Sequence, residues 1–454
     1  SSASAGTATA AGIARASLVG HLASGVPGAV AGMVEAHSKY GVLPLADVLA
    51  PAIRLADSGF VVDSALARSI ENARDLIATS AGSALFMPNG TPVTAGSRLV
   101  QVDLATTLRR VAEHGAPGFY EGETARLLVD EMRRGGGIIT DEDLRQYRPV
   151  WRGVLEGLYR GHRFITMPPS SSGGVTMMET LNILETFPTL PPFGSAGYTH
   201  LLAEALRRAF IDRNTKLGDP DVVAVPVRRL TSDSYARRLA ATIDPGRASV
   251  TAAFDSAARE GSHTTHYSVV DAAGNAVATT TTINELYGSG VFIPGGGFFM
   301  NNEMDDFATR PGEPNLFGLV QGESNAIAPG KRMLSAMSPT IVLDPAGNVL
   351  LVLGGRGGPR IISSTLQVIV NVIDHAMTLT DALAAPRVHH QAWPDTLRYE
   401  ENGLNVPVLD SLAAMGHAVA AGRASGLVKA IMRAPGGGWH GAYDPRTRGG
   451  AVGF

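Results

Sequence analysis

A threonine-rich segment contains the residue best suited to chemistry in this chain. Residues 264–284 read TTHYSVVDAAGNAVATTTTIN, two β-prone runs around an Ala-Ala-Gly-Asn turn at 272–275, and this pattern predicts a β-hairpin. If the chain were cut before Thr264, that residue would carry a free α-amine beside its hydroxyl. An α-amine has a pKa of about 8, so at neutral pH it can act as the base that activates the hydroxyl. Thr264 is therefore a candidate N-terminal nucleophile.

The same hairpin predicts a partner for Thr264. Folding about residues 272–275 returns Thr282 to within a residue or so of Thr264, but a slip of one residue would turn Thr282 to the other face. Residues 279–281 are interpreted as ordinary β-prone positions on a half-polar strand. His266 is predicted to be a packed strand residue and not a catalytic base, because the α-amine fills that role.

The elements that must position this hairpin change in kind along the chain. Before residue 262 the apolar spacing predicts mainly helices, at 29–40, 45–58, 103–114, 121–134, 176–187 and 198–212. Thr140 followed by Asp143 predicts a capping box and a further short helix. After residue 262 the pattern predicts strands at 266–271, 276–283, 297–301, 339–343, 349–353, 427–433 and 440–444, with a long apolar helix at 361–377. This order predicts an α+β fold with sheets covered by helices on both outer faces.

Composition excludes several classes of protein. The 454 residues have a net charge of -3 and no cysteine, which argues against a nucleic-acid surface or a polybasic membrane patch and excludes disulfides and thiolate chemistry. No run of about 18 apolar residues predicts a membrane span. Residues 1–12 are small and polar, and they lack the basic start and apolar centre of a signal peptide. The compartment is left open.

Other motifs favour structural interpretations. His389 and His390 are adjacent, so on a strand they point to opposite faces, and no third ligand is evident; we expect no metal and no cofactor. Residues 170–174 lack the Gly-x-Ser-x-Gly pattern of a serine nucleophile and are interpreted as a turn lining the site. The carboxylates of Asp305 and Asp306 have no second pair to form a glycosidase cleft. For Asp305 a turn or cap role is the equal alternative to a direct role.

Several ordered stretches resemble the γ-glutamyltranspeptidases, which are N-terminal-nucleophile hydrolases. The stretches are GSHTTHYSVVD at 261–271, NNEMDDF at 301–307, MSPTIV at 337–342, GHLASGVPG at 20–28 and MPPSSSGG at 167–174. The resemblance extends from about residue 17 to the end of the chain. It implies a four-layer αββα sandwich, with residues 1–263 and 264–454 together forming one structural domain.

The resemblance also implies self-processing. The precursor would cleave itself between His263 and Thr264, giving a large subunit of residues 1–263 and a small subunit of residues 264–454. Thr264 would then be the nucleophile toward substrate. Relatives of this kind are usually exported, which suggests a periplasmic or secreted protein.

Further roles follow from the same resemblance. Thr282 matches the threonine that hydrogen-bonds the nucleophile. Gly357 and Gly358 match the pair whose backbone N–H groups hold the oxyanion, a role that suits glycine because no Cβ blocks the approach of substrate. Residues 310–322 match a lid loop, with Phe317 at its aromatic gate.

The implied substrate is a γ-glutamyl amide such as glutathione. Asn284, Glu303 and Asp306 match residues around the α-amine of the γ-glutamyl group, and anionic or carbonyl acceptors are what a buried ammonium needs. Ser335 matches a serine that holds the α-carboxylate. The acceptor of the γ-glutamyl group would be water, an amino acid or a peptide.

Two departures from the family pattern keep other functions open. Ala336 stands where the family usually has a second serine, so one carboxylate donor is missing. The family also usually begins further upstream, with a glycine-rich strand and an arginine that pairs with the substrate carboxylate, and nothing in residues 1–15 replaces them; we expect a sandwich that is incomplete at its N-terminal end. The alternatives are a related amide acylase of the cephalosporin type and an inactive homologue that stays uncut.

Overall fold

The computed structural model describes residues 16–251, 264–422 and 425–453. Its α-helices are α1 Ala29–Tyr40, α2 Leu45–Ser58, α3 Ser64–Asn72, α4 Arg74–Ala78, α5 Ser83–Phe86, α6 Val102–His114, α7 Pro117–Tyr120, α8 Gly122–Gly135, α9 Asp141–Gln146, α10 Gly173–Glu185, α11 Ala196–Lys216, α12 Val227–Leu230, α13 Asp233–Ala240, α14 Arg360–Ile373, α15 Leu379–Ala384 and α16 Val406–Ala414. Short 3-10 helices lie at His21–Ala23, Pro88–Gly90, Glu303–Asp306 and Glu323–Asn325.

The β-strands follow the same numbering by chain order. They are β1 Phe60–Val61, β2 Arg98–Leu99, β3 Leu155–Tyr159, β4 His162–Thr166, β5 Thr264–Val270, β6 Ala276–Thr282, β7 Phe292–Ile293, β8 Phe298–Phe299, β9 Thr340–Leu343, β10 Val349–Arg356, β11 Val388–His389, β12 Leu397–Tyr399, β13 Val419–Ala421, β14 Leu427–Arg433 and β15 Trp439–Tyr443. The predicted ranges 29–40, 45–58 and 427–433 agree with α1, α2 and β14 residue for residue.

Contacts divide the chain into two compact units. The first contains the residues up to Trp151 together with Ile283–Asp305, and the second contains Arg152–Thr282 and the residues from Asp306 onward. Self-processing is expected to divide the chain after residue 263. That division differs from the division into these two units, and it stays a prediction.

The first unit is mainly helical. Helix α8 is amphipathic and buries Leu128, Val129 and Met132 in a cluster of apolar side chains. Helix α9 begins at the predicted capping box, which is confirmed: Asp143 N donates to Thr140 Oγ1 at 3.3 Å, and Thr140 N donates to the Asp143 carboxylate at 2.8 Å. These two bonds satisfy backbone donors that the first turn of a helix leaves unpaired.

The second unit is built on a six-stranded antiparallel sheet with the order β15-β14-β10-β9-β4-β3. Leu351 and Leu353 of β10 pack into a cluster with Leu366 of α14. Gly354 faces the other way by strand alternation, and a Cβ there would meet the ring of His266 on β5 at 2.5 Å. Helices therefore cover one face of the sheet and the β5–β6 hairpin covers the other. The predicted α+β sandwich class is confirmed.

One hairpin of this sheet was not predicted. Strands β3 and β4 lie in a region whose pattern suggested helices, and they pair from Leu155↔Thr166 to Tyr159↔His162. Arg160 and Gly161 between them have φ angles of 49° and 76°, the positive values of a tight two-residue hairpin turn. An Arg-Gly pair is a weak turn pattern compared with Asn-Gly, which explains the omission.

A buried carboxyl group lies between helices α10, α11 and α13. Glu179 on α10 is 1% exposed. Burial, the negative charge of Asp212 and a hydrogen bond with Asp212 raise the pKa of Glu179 well above its usual range. Asp212 itself is paired with Lys216 and accepts from Tyr235 Oη at 2.5 Å. Burial and Asp212 therefore favour the protonated form of Glu179 in the folded protein.

We expect Glu179→Gln to stabilise the fold at neutral pH. Because the folded pKa is raised, the contribution of Glu179 to stability is fully present below its unfolded pKa of about 4.3 and is lost as the pH rises toward the folded pKa. Glutamine is neutral at every pH and still donates to Asp212. The advantage of the variant should grow by up to about 1.4 kcal/mol per pH unit in that window. Urea denaturation of both proteins at pH 5 and pH 8 measures it; an equal difference at the two pH values would contradict the prediction.

Candidate active site

The β5–β6 hairpin places its two end threonines directly opposite each other. The register pairs Thr264 with Thr282, and Thr264 Oγ1 donates to Thr282 Oγ1 at 3.2 Å. The turn sets this register, since Asn275 N donates to the Asp271 side chain at 2.8 Å and Gly274 has a φ of 86°. The pairing that could not be derived from the sequence is therefore in the register that brings the two hydroxyls together.

His266 is part of the packing beneath this threonine pair. Its ring nitrogens hydrogen-bond with Thr280 Oγ1 at 2.8 Å and Ser268 Oγ at 3.0 Å. Burial and then the positive charge of Lys429 lower the pKa of His266 to about 4, so the ring is neutral at pH 7. The interpretation of His266 as a packed strand residue is confirmed.

The way β5 lies on β10 indicates where Thr264 is directed. Ser268 Oγ donates to Val352 O at 3.2 Å, and His266 lies against Gly354. Ser268 therefore lies beside Val352, and His266, two residues earlier on β5, lies beside Gly354, two residues later on β10. The two strands thus run in opposite directions. Since side chains two apart share a face, the next step brings Thr264 to the level of the end of β10.

Two glycines follow immediately after β10. Gly357 and Gly358 have φ angles of 132° and 58°, in the region that favours glycine. A Cβ on Gly358 would lie 2.6 Å from the ring of Phe317, and one on Gly357 would lie 2.8 Å from Gly426 Cα. Within the described parts of the chain, neither glycine N–H donates a hydrogen bond. Gly357 is buried, and a buried N–H without an acceptor is unusual in a native fold.

The serine of the predicted carboxylate site lies against the turn at 167–174. Ser335 Oγ donates to Ser171 Oγ at 2.7 Å, and Ser171 Oγ donates to Met337 O at 2.7 Å. Ser172 Oγ donates to Ser335 O at 2.6 Å. The turn thus contacts the predicted site residue Ser335. Ala336 beside it packs against the apolar core and offers no hydroxyl.

The predicted lid segment and Asp306 belong to the same unit. Phe317 is 7% exposed and its carbonyl accepts from Gln391 Nε2 at 2.9 Å, so the gate residue is packed inside in this conformation. The carbonyl of Asp306 accepts from Asn325 Nδ2 at 2.7 Å and Gln321 Nε2 at 3.1 Å. These amides fix the backbone from which the Asp306 carboxylate projects.

Two further predicted residues lie in the first unit. Asn284 is buried with a φ of 71°, and its Nδ2 donates to Asn302 O at 3.0 Å. Glu303 is buried at the start of a 3-10 helix, and its N–H donates to Asn301 Oδ1 at 3.0 Å. His263 and residues 1–15, which bear on self-processing and on the missing arginine, lie outside the described residues.

The adjacent histidines are held by protein partners. His389 hydrogen-bonds with Ser363 Oγ at 2.8 Å and Gln391 Oε1 at 2.9 Å. His390 Nε2 lies 3.2 Å from Asp395 Oδ1, and His390 Nδ1 accepts from Ala392 N at 3.2 Å. Both rings are thus engaged in packing contacts.

A different group of possible ligands was not predicted from the sequence. His200, Glu204 and His417 offer ligand atoms within 4.8 Å of one another. The Glu204 carboxylate, however, already accepts from the side chains of Arg207 and Arg208 and from the N–H and hydroxyl of Ser249. Because these donors fill the lone-pair positions of the carboxylate, we interpret the group as a buried ion-pair network.

The fold and the sequence of this chain are similar to those of known proteins. In its fold the chain is similar to the N-terminal-nucleophile hydrolases: the solved cephalosporin acylase from Bacillus halodurans matches with a TM-score of 0.82 and 29% identity, covering 94% of this chain and 78% of that one. A family model described as gamma-glutamyltranspeptidase matches residues 5–454. The chain belongs to the γ-glutamyltranspeptidase family of enzymes, as its motifs predicted.

Curated relatives of two kinds are similar to this chain. The glutathione hydrolase proenzyme of Escherichia coli (strain K12) is 45% identical over 437 residues, covering 95% of this chain and 75% of the relative. The acylase ACY 1 proenzyme of Pseudomonas sp. (strain SE83) is 42% identical over 441 residues, covering 96% and 76%. In the described parts of the chain, none of the helices is both long and apolar enough to cross a membrane.

Proposed function

We propose that this chain is a self-processing γ-glutamyl hydrolase and transferase whose substrates are glutathione and related γ-glutamyl amides. The observation that supports it best is the pair of unpartnered N–H groups on Gly357 and Gly358 after β10, at the level toward which Thr264 is directed. Such donors stabilise the oxyanion of an acyl-transfer reaction. A hydroxyl nucleophile and backbone N–H groups that can hold an oxyanion are two of the elements that acyl transfer through an ester uses.

Self-processing would come first. Thr264 Oγ attacks the carbonyl carbon of His263, the peptide C–N bond breaks, and the acyl group moves from nitrogen to oxygen. Water then hydrolyses the ester, leaving a carboxylate on His263 and a free α-amine on Thr264. Two of the relatives are proenzymes, which supports the processing of a precursor.

Turnover would use the same hydroxyl. The α-amine of Thr264 takes the hydroxyl proton while Oγ attacks the γ-carbonyl, and the N–H groups of Gly357 and Gly358 hold the oxyanion. The leaving amine receives the proton as the amide C–N bond breaks. Water, an amino acid or a peptide amine then attacks the γ-glutamyl ester and regenerates Thr264. No cofactor takes part in these steps.

Recognition of the γ-glutamyl group would depend on its two charged substituents. By family resemblance, Asn284, Glu303 and Asp306 accept hydrogen bonds from the α-ammonium, and Ser335 donates to the α-carboxylate. Hydrogen bonds to charged groups contribute about 1.5 to 3 kcal/mol each. The closing of Phe317 over the site would exclude water from it.

Two chromogenic substrates test this proposal. We expect the processed enzyme to hydrolyse γ-glutamyl-p-nitroanilide at least about 100-fold more efficiently than glutaryl-p-nitroanilide, which lacks only the α-amine, because acceptors buried for the ammonium would be left unpaired. The measurement is kcat/KM for each substrate under identical conditions. Preference for the glutaryl substrate would refute the γ-glutamyl assignment.

An acylase is the second candidate, and one observation favours it. Ala336 offers no side-chain hydroxyl to an α-carboxylate. An acylase ACY 1 proenzyme that is 42% identical to this chain is among the relatives. An acylase for a non-amino acyl group would need no ammonium acceptors. The comparison of the two anilides separates these candidates directly.

A further inference from the structure

Arg213 is a buried cation that no step of the proposed reaction uses. It lies on α11 and is 1% exposed, and burial lowers its pKa to about 10, so it stays charged at pH 7. Among the described residues it forms no ion pair within 4.0 Å. A buried charge without a contacting counter-ion is costly unless hydrogen bonds hold it in place.

One side of the Arg213 guanidinium supports Ser335. Arg213 Nε donates to Ser172 Oγ at 3.1 Å. Ser172 Oγ in turn donates to Ser335 O at 2.6 Å, and Ser172 N donates to the same carbonyl at 2.8 Å. The hydroxyl of Ser172 has one proton to donate. Because its oxygen accepts from Arg213, that proton is directed to the carbonyl of Ser335. The backbone of the predicted carboxylate-binding serine is thereby held from beneath.

The other side of the guanidinium supports Asp306. Arg213 Nη1 donates to Gln321 Oε1 at 3.1 Å. Since arginine is only a donor, this contact orients the amide so that Gln321 Nε2 donates to Asp306 O at 3.1 Å. Asn325 Nδ2 bridges the same two groups, at 2.9 Å from Gln321 Oε1 and 2.7 Å from Asp306 O. The carboxylate of Asp306 also interacts favourably with the charge of Arg213.

We propose that Arg213 is a positioning residue that fixes Ser335 and Asp306 relative to each other. It thereby sets the distance between the groups that bind the α-carboxylate and the α-ammonium of a γ-glutamyl substrate. The inference rests on the proposed function of the site. A planar guanidinium with donors on both sides suits this task, because one rigid group contacts both supports. A lysine can satisfy only one of them well.

Two matched substitutions test the proposal. Arg213→Lys keeps the charge but loses the two-sided contact. Arg207→Lys is the control, since Arg207 is equally buried on the same helix but bonds to Glu204, Thr251 and Asp395 and touches neither support. Each variant is assayed with γ-glutamyl-p-nitroanilide and with p-nitrophenyl butyrate, which lacks both α-substituents. Self-cleavage reports an intact fold.

We expect Arg213→Lys to lower kcat/KM for γ-glutamyl-p-nitroanilide by about 10- to 100-fold, mainly through KM, as the loss of one or two charge-assisted hydrogen bonds implies. Hydrolysis of p-nitrophenyl butyrate should change by less than about 3-fold, because it needs only the nucleophile and the oxyanion donors. Arg207→Lys should leave the ratio of the two activities unchanged.

Several outcomes would overturn the proposal. An unchanged ratio in Arg213→Lys, or the same change in Arg207→Lys, would mean that Arg213 is a structural residue only. If Arg213→Lys does not fold, Ser172→Ala and Gln321→Met remove the two supports one at a time. A normal KM for γ-glutamyl-p-nitroanilide in both variants would also overturn the proposal. A wild-type enzyme that shows no preference for the γ-glutamyl substrate would refute the proposed function itself, and this inference with it.

Discussion

Thr264→Ala is expected to yield a single uncut chain without measurable turnover. The substitution removes the hydroxyl that is proposed to attack the peptide bond before Thr264 and, after processing, the γ-carbonyl of substrate. Loss of the nucleophile in serine proteases, which also react through an acyl ester, lowers kcat by at least about 10⁴-fold. Intact mass and N-terminal sequencing of the purified protein measure processing, and initial rates with γ-glutamyl-p-nitroanilide measure turnover.

The neighbouring threonine provides the control for this experiment. Thr265 is exposed, pairs with Thr281 and points to the opposite face of the strand, so Thr265→Ala makes the same chemical change away from the site and should be processed normally. Turnover in Thr264→Ala would disprove the nucleophile assignment. A wild-type chain that stays uncut and inactive would support the inactive homologue in place of the enzyme.

Gly358→Ala is expected to lower kcat by about 100-fold or more while leaving a folded protein. The new Cβ would lie 2.6 Å from the ring of Phe317, and the φ of 58° is unfavourable for alanine. The backbone must shift, and the N–H would leave the place at which it is proposed to hold the oxyanion. Removal of one oxyanion donor costs about 3 to 4 kcal/mol in other enzymes. The measurement is kcat for both γ-glutamyl-p-nitroanilide and p-nitrophenyl butyrate.

Gly347→Ala is the control for this substitution, because it also places an alanine at a positive φ. Gly347 has a φ of 88° in the β9–β10 turn, and a Cβ there would meet nothing within 4 Å, so Gly347→Ala should keep full activity. Both substrates should be affected equally by Gly358→Ala, because each passes through an oxyanion. This would distinguish Gly358 from Arg213, whose expected effect is confined to substrates with α-substituents. An unchanged kcat in Gly358→Ala would contradict the proposal that the Gly358 N–H holds the oxyanion.

The parts of the fold that the sequence predicted depend on local patterns. The β5–β6 hairpin followed from its turn and its β-prone runs, and the Thr140 cap from a motif spanning four residues. Helix α10, predicted at 176–187, begins earlier, at Gly173. Gly173 and Gly174 pack so closely on Met337 and Met167 that a Cβ would clash with either backbone. Glycine disfavours a helix locally, and only this tertiary contact reveals why it starts there.

The parts of the site that the sequence could not predict depend on distant contacts. Arg213 and Gln321 are 108 residues apart, and no periodicity or motif relates them. Ser335 was found only by family resemblance, and its supports Ser171 and Ser172 were interpreted as a turn lining the site without a partner. The sequence predicted that Thr282 lies near Thr264. It did not predict the contact between their hydroxyls, because the register that decides this contact is a property of the folded hairpin.

The position of Thr264 at the head of a paired strand has a consequence for conformational entropy. Seven residue pairs anchor the hairpin, so the backbone of the proposed nucleophile has little freedom left to lose. Its β-branched side chain is also restricted at χ1, whereas a serine in the same place would populate several rotamers. Much of the ordering that a reacting hydroxyl requires is therefore completed during folding, before any substrate arrives.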